Sequence, residues 1–325
     1  MSALSLSIGS MVDVYATDQV THALSNAGEG SSSQLLRRTY ERMLSAGPQR
    51  FVSKPTSSAQ LAEVAAQSPN FAGVLDDLSK YVELALFGSS SLNFMPILLA
   101  GDPGVGKTHF AKALSGALGV PYQFVSMGTV TAGWTLSGSA PGWSGARHGK
   151  IAQALIENQF ANPLFLLDEL DKTGGDMRYD PFGALLQLME RETAAHFTDE
   201  FLDVQLNTSS ILWVATCNDL SRIPDYILSR MAVYEVPAPT RDQAAVIAQN
   251  IYSAMLRENN WPFAAQLGTD VLDLLADVPP REMKKRLLDA LGAARMAKRD
   301  YLTAQDARVV NTKAKTRSIG FVPNS

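Results

Sequence analysis

The chain has 325 residues, 46% of them hydrophobic and 18% charged, enough for two globular domains or for one with appendages. A single cysteine, Cys217, excludes an internal disulfide, and the four histidines (His22, His109, His148, His196) are too scattered for a metal cluster. The net charge is −4, no basic residue precedes Arg37, and no run is long or apolar enough for a signal peptide or a bilayer span, so a soluble cytoplasmic protein is expected.

Residues 1 to about 32 are small and polar, ending in Gly28-Glu29-Gly30-Ser31-Ser32-Ser33, and read either as loosely ordered or as an arm that docks on something. From Gln34 to Ser45 the residues Leu36, Tyr40, Met43 and Leu44 share one helical face, and Gly47-Pro48 ends that helix. Ser57 and Gln60 have the spacing of a capping box for a helix through Ala66. A longer helix is expected from Phe71 to Phe87, with Val74, Leu75, Leu78, Val82 and Leu86 as its stripe. These segments predict an N-terminal extension over 1–69, partly helical or flexible.

After a Gly-Ser-Ser-Ser linker comes the most informative stretch, Gly101-Asp102-Pro103-Gly104-Val105-Gly106-Lys107-Thr108. It follows the apolar run Pro96–Ala100 and precedes a helical pattern, Phe110 to Leu118. Strand, glycine-rich loop and helix are the context a GxxxxGK[ST] phosphate loop requires. Glycines allow backbone N–H groups to converge on a phosphate at the positive end of the following helix. Lys107 would reach the β/γ-phosphates and Thr108 would hold Mg²⁺, so ATP and Mg²⁺ are the expected ligands, with His109 closing the segment.

Four further strands are predicted: Tyr122–Val125, Leu164–Leu167, Ile211–Ala215 and Val233–Val236. Short continuous apolar runs are what buried parallel strands look like, and their alternation with helices implies a doubly wound α/β sheet. The second of these runs delivers Asp168 and Glu169 at its C-terminal edge, roughly sixty residues after the phosphate loop. Asp168 is expected at Mg²⁺ and Glu169 at the attacking water as general base. The third leads to Asn218, between the two motifs, where it can orient water against the γ-phosphate. Arg230 is a candidate finger for a neighbouring subunit's ATP. The α/β domain is expected over 70–239.

From residue 240 the pattern is helical. Thr240 with Gln243, and Thr269, are candidate caps, and Pro280 stands at a first helical position before Met283, Leu287, Leu288 and Leu291. A small helical lid domain is therefore predicted over 240–325, with Arg281 able to reach the γ-phosphate of its own subunit. Arg281 to Arg317 holds eleven Lys/Arg against four Asp/Glu, a local +7 that leaves −11 elsewhere. A solvated helix face with one or two phosphate sensors accounts for this; contact with nucleic acid or an acidic partner is the alternative.

These motifs together resemble an AAA+ ATPase, and more closely the ATPase module of Lon proteases, over roughly Leu98 to Arg295. Phe165-Leu166-Leu167-Asp168-Glu169-Leu170-Asp171-Lys172 looks like the second motif of Lon. Asp180-Pro181, the run Phe197 to Val204, Ala215-Thr216-Cys217-Asn218, Ile223-Pro224 and Ser229-Arg230-Met231 are similar to the Lon text that follows. The resemblance implies sensor 1 at Asn218, an arginine finger at Arg230 and sensor 2 at Arg281. It also implies a substrate-gripping pore loop at Trp143, Ser144 and Gly145, with Ser144 polar where the family is aliphatic. A second pore loop would run from Thr173 to Tyr179, with Met177 and Arg178 as candidates.

The same resemblance implies an ATP-hydrolysing protein remodeller working as a homo-oligomeric, hexameric ring on a protein substrate or partner through a central pore. Nothing after Arg295 offers the serine–lysine dyad of a Lon peptidase, so a motor without its own peptidase domain is expected. The alternative is a nucleic-acid-associated AAA+ ATPase, a loader or a transposition or phage-type regulator. No membrane partner is expected.

Overall fold

The computed structural model describes residues 7–28, 31–88, 91–129, 133–143, 145–173 and 181–308. The chain divides into two compact units, Met1–Thr240 and Arg241–Ser325. In the first, nine strands are described: β1 (Ser7–Asp13), β2 (Gln49–Lys54), β3 (Ile97–Ala100), β4 (Tyr122–Ser126), β5 (Leu164–Asp168), β6 (Phe197–Asp199), β7 (Val204–Leu206), β8 (Leu212–Cys217) and β9 (Ala232–Glu235).

Five of them form a parallel sheet in the order β4-β5-β8-β3-β9. The apolar runs of its central strands β5, β8 and β3 are buried on both faces, because successive side chains point to opposite sides, while the edge strands β4 and β9 are only partly buried. Ile97, Leu99, Leu164, Leu166, Leu212 and Val214 pack with the helices Ala72–Phe87 and Lys107–Leu118. Leu98, Phe165, Leu167, Trp213, Ala215 and Cys217 pack on the other face with the helices Lys150–Glu157 and Pro181–Met189. Each fully buried Leu or Phe contributes about 1.5–3 kcal/mol, so the register of the sheet is firmly set.

The phosphate-loop helix begins and ends on glycines in the left-handed region, Gly106 at φ 105° and Gly119 at φ 66°. At its end the Val120 N–H donates to the Ser115 carbonyl, the glycine-terminated closure that satisfies the last turn. Underneath, Phe110 stacks on Phe71 with centroids 4.2 Å apart.

Of the two expectations for the N-terminal arm, residues 7–28 follow the docked one. β1 pairs antiparallel with β2, and Val14, Tyr15, Val20, Tyr40, Met43 and Val52 are buried in the same core as Phe165 and Trp213. The Tyr40 hydroxyl donates to the Leu202 carbonyl, and the Ser53 N–H donates to Asn162 Oδ1 at 2.9 Å. Arg50, 3% exposed, donates to the Leu155 carbonyl at 2.8 Å. There its cation meets the negative end of the helix Lys150–Glu157. Residues 7–28 and 33–54 are thus woven into the α/β unit by apolar and polar contacts that composition does not reveal.

The predicted caps are also placed differently. Ser57 Oγ accepts from the Ala59 N–H, with Ser58 at the cap of the helix Ala59–Gln67, and Gly268, not Thr269, caps Thr269–Leu275.

The second unit is helical: Arg241–Asn259, Thr269–Leu275, Pro280–Met296 and Ala304–Ala307 close around Ala248, Tyr252, Val271, Leu275, Met283 and Leu287. Pro280 takes the first position of its helix, as expected. The Arg299 guanidinium and the Asp306 carboxylate meet in two bonds of 2.7 Å each, and the arginine holds that carboxyl well below the usual range. Among the described residues no helix is long and apolar enough to cross a membrane.

Candidate functional site

β8 lies between β5 and β3 in the sheet, so the chain ends that follow these three strands emerge side by side at one edge. In open α/β sheets that carboxyl edge is where ligands bind. Here it gathers the glycine-rich loop after β3, Asp168 and Glu169 after β5, and Asn218 after β8.

Gly104 and Gly106 adopt φ of 91° and 105°, conformations that residues with a Cβ rarely take. Gly101 is required for another reason: a Cβ there would lie 2.4 Å from the Val236 carbonyl oxygen. Val105 is buried, and Asp102, Pro103, Thr108 and His109 face outward.

Lys107 is 7% exposed. Its ammonium donates to the Gly101 carbonyl at 2.6 Å, the Asp102 carbonyl at 3.0 Å and Asn218 Oδ1 at 3.0 Å. Burial lowers its pKa, opposed by Cys217, Asp171, Asp168 and Asp102 around it. Three oxygen dipoles satisfy its three donors, so the cation is held with its head among the loop carbonyls.

Thr108 Oγ1 donates to Asp168 Oδ1 at 2.9 Å. The same carboxylate oxygen accepts from Thr216 Oγ1 at 2.7 Å, and Thr216 Oγ1 accepts from the Glu169 N–H at 3.0 Å. Glu169 itself has φ 59° and ψ 49°. A left-handed conformation costs a residue with a Cβ about 1–2 kcal/mol, and strain of this kind concentrates at functional sites. Its carboxylate forms an ion pair with Lys172, both side chains being partly exposed.

A hydroxyl and a carboxylate this close are hard oxygen donors of the type Mg²⁺ prefers. Thr108 and Asp168 therefore fit a divalent cation, with one or two protein ligands and the remainder left to phosphate and water.

The structure brings together Gly101, Gly104, Gly106, Lys107, Thr108, Asp168, Glu169 and Asn218. Arg230 lies elsewhere in its contacts: Nε pairs with Glu190, and Nη1 donates to the Tyr226 carbonyl at 2.6 Å. Arg281 is exposed in the second unit, at the start of the helix Pro280–Met296. Trp143 is 60% exposed on a loop between Gly138 and Gly149, and Gly145 has φ 79°. Ser144, Met177 and Arg178 lie outside the described residues.

Two residues escaped the sequence reading. Thr216 is one; a hydroxyl near the end of an apolar strand, on the face of Leu212 and Val214, is the signal that marks it. Asp199 is the other. It is fully buried, and its Oδ2 accepts from the Gly149 N–H at 2.8 Å while its Oδ1 accepts from the N–H groups of Phe201 at 3.0 Å and Leu202 at 3.1 Å. It fastens the neck of the Trp143 loop to the β6–β7 hairpin, and burial pushes its carboxyl up to about 6.

With this geometry in place, comparison with known proteins is decisive. Residues 97–237 match the family described as ATPase family associated with various cellular activities (AAA). This part of the chain is an AAA domain. The chain is 40% identical over 154 residues to a Lon protease of Wolbachia pipientis, covering 47% of this chain and 19% of that protein. It is 36% identical over 188 residues to the Lon protease of Mesomycoplasma hyopneumoniae, covering 56% and 22%. Lon protease 1 of Thermus thermophilus is 34% identical over 232 residues, covering 67% and 28%. The chain thus spans between 19% and 28% of the length of these relatives. Among solved structures, a Thermotoga maritima RuvB mutant aligns with a TM-score of 0.49 at 15% identity, over 73% of this chain and 67% of that one.

Proposed function

We propose that this AAA protein is an ATP-hydrolysing motor that remodels protein, Lon-like in its ATPase, acting through the pore of a homo-oligomeric, hexameric ring. The observation that carries the ATPase reading is the convergence of Lys107, Thr108, Asp168 and Asn218 beside a glycine loop that opens a helix.

In this reading the loop N–H groups and the helix N-terminus bind the phosphates, and Lys107 exchanges its carbonyl acceptors for phosphate oxygens. Mg²⁺, held by Thr108 and Asp168, supplies charge neutralisation at the β/γ-phosphates. Glu169 is assigned to orient and deprotonate the attacking water, and Asn218, bonded to Lys107, to orient that water against the γ-phosphate. Arg230, whose contacts are Glu190 and the Tyr226 carbonyl and not the phosphate loop, is assigned to the neighbouring subunit's ATP; Arg281 is assigned as a sensor in the helical lid. The similarity to Lon ATPase regions and the exposure of Trp143 support a polypeptide as the substrate, gripped by the Trp143-Ser144-Gly145 loop.

Glu169→Gln should bind ATP and hydrolyse it about 10²–10⁴-fold more slowly, and Lys107→Ala should lose ATP binding. Turnover like that of the wild type in Glu169→Gln would overturn the assignment. The polypeptide reading fails if DNA or RNA stimulates the ATPase strongly, in a manner that falls steeply with salt and disappears when Lys284, Lys285 and Arg286 are neutralised.

A further inference from the structure

Thr216 occupies the central position of the sheet edge. It pairs with Leu99 on one side, and its predecessor Ala215 pairs with Leu167 on the other. It is 2% exposed, on the same face as Leu212 and Val214. A hydroxyl buried on an apolar face is unfavourable unless it is hydrogen-bonded, so its partners explain its presence.

Those partners are the two residues on which the chemistry rests. An ionised carboxylate only accepts, so the Thr216 proton goes to Asp168 Oδ1, at 2.7 Å. That leaves a lone pair for the Glu169 N–H, at 3.0 Å. Asp168 Oδ1 in turn receives the Thr108 hydroxyl at 2.9 Å. On its other side the Glu169 carbonyl accepts from the Lys172 N–H at 2.9 Å. The left-handed Glu169 backbone is therefore held on both sides, and a side chain's direction follows from its backbone.

We propose that Thr216 is a positioning residue of the ATPase: one buried hydroxyl fixes the Asp168 carboxylate and the Glu169 backbone in a single geometry. The inference rests on the reading of this edge as the site of hydrolysis. The hydroxyl of Thr216 is engaged by Asp168 and Glu169, and the residue is 2% exposed. Its effect is on where two other groups point, and such misplacement is felt in turnover more than in binding.

The test uses the full chain and three substitutions: Thr216→Val, Thr216→Ala and Thr216→Ser. Affinity is read with a fluorescent ATP analogue, and turnover with a phosphate-release assay. In Thr216→Val, affinity should stay within about 3-fold while turnover falls about 10²-fold. Ser and Ala differ in little but the hydroxyl, so Thr216→Ser should recover most of the turnover lost in Thr216→Ala. Combined with Glu169→Gln, Thr216→Val should lose clearly less than the product of the two single losses, because the Glu169 carboxylate it orients is gone while Asp168 remains. The proposal is overturned if Thr216→Val turns over within about 3-fold of wild type, or if Ser and Ala lose activity equally. A proportional loss of affinity and turnover in both would assign Thr216 to the fold alone. A wild-type protein that binds ATP without hydrolysing it would instead refute the ATPase reading, a result that the Thr216 variants cannot produce.

Discussion

Asp199→Ala tests how the Trp143 loop is held. The carboxylate is fully buried and accepts three backbone N–H bonds, from Gly149, Phe201 and Leu202. Truncation orphans all three donors, at about 1–3 kcal/mol each, or about 6 kcal/mol together. Against this, the buried charge is itself unfavourable. Burial pushes the carboxyl up to about 6, so the ionised form at neutral pH carries about 3 kcal/mol of penalty that truncation relieves. The net expectation is a loss of about 3 kcal/mol, read as a shift of the urea midpoint at pH 7.5 followed by tryptophan fluorescence. The pH dependence has a definite sign. A carboxyl whose folded pKa is raised binds more protons when folded, so its contribution is full below its unfolded pKa and is lost as pH rises through about 6. The gap between wild type and Asp199→Ala should therefore widen on going from pH 7.5 to pH 5, by about 1 kcal/mol. A gap that narrows would mean that the three N–H bonds outweigh burial. A variant as stable as wild type at both pH values would mean that the loop neck is not held by this carboxylate at all.

Other perturbations follow from the same geometry. Gly101→Ala would place a Cβ 2.4 Å from the Val236 carbonyl, and Val236 is itself tied to the Ala100 carbonyl at 2.7 Å. The backbone cannot yield cheaply, so a cost of about 1–3 kcal/mol and at least about tenfold weaker nucleotide binding are expected; unchanged melting and affinity would count against the loop geometry. Excess Arg230→Ala subunits mixed into wild type should lower turnover per wild-type subunit, because Arg230 is assigned to a neighbour's site. Activity proportional to wild-type content, with a monomer by light scattering at saturating ATP, would sink the ring. Trp143→Ala should lose unfolding of a model protein while ATPase falls by no more than a few-fold, and Trp143→Tyr should recover part of it. Normal unfolding by Trp143→Ala would remove the loop from the mechanism.

The parallel sheet was legible because its central strands are buried on both faces and read as unbroken apolar runs, as Leu164–Leu167 does. The loop and its helix were legible because glycine spacing, strand and helix agree locally. What escaped was non-local and polar. β1 has a Ser-rich sequence and finds its partner β2 more than thirty residues later, so no periodic signal announces it. The β6–β7 hairpin is built from strands of three residues each, and its organising feature is a buried carboxylate at Asp199, which composition alone reads as surface. Arg50 misleads in the same way, because its partners are carbonyls of a helix a hundred residues away. The caps at Ser57 and Thr269 missed by one residue, since cap position depends on where the chain turns rather than on which hydroxyl is nearby.

The site and the core are set by the same two-residue period. Leu164, Leu166 and Asp168 share a face of β5, and Leu212, Val214 and Thr216 share that face of β8, because alternate side chains of a strand point the same way. The helix Lys107–Leu118 covers this face through Phe110 and Leu114, which is why Thr108, at its first turn, meets Asp168. If β8 slipped by one residue against β5, Cys217 would replace Thr216 opposite Asp168. The buried thiol, pushed up to about 11 by burial, is a poor donor in place of a hydroxyl. The slip would also turn Trp213 and Ala215 out of their core. The apolar residues that hold the register therefore also hold the hydroxyl against the carboxylate. Any substitution that loosens the packing at Val214 or Leu166 should be felt first in the Asp168–Thr216–Glu169 geometry, before the unit as a whole loses its fold.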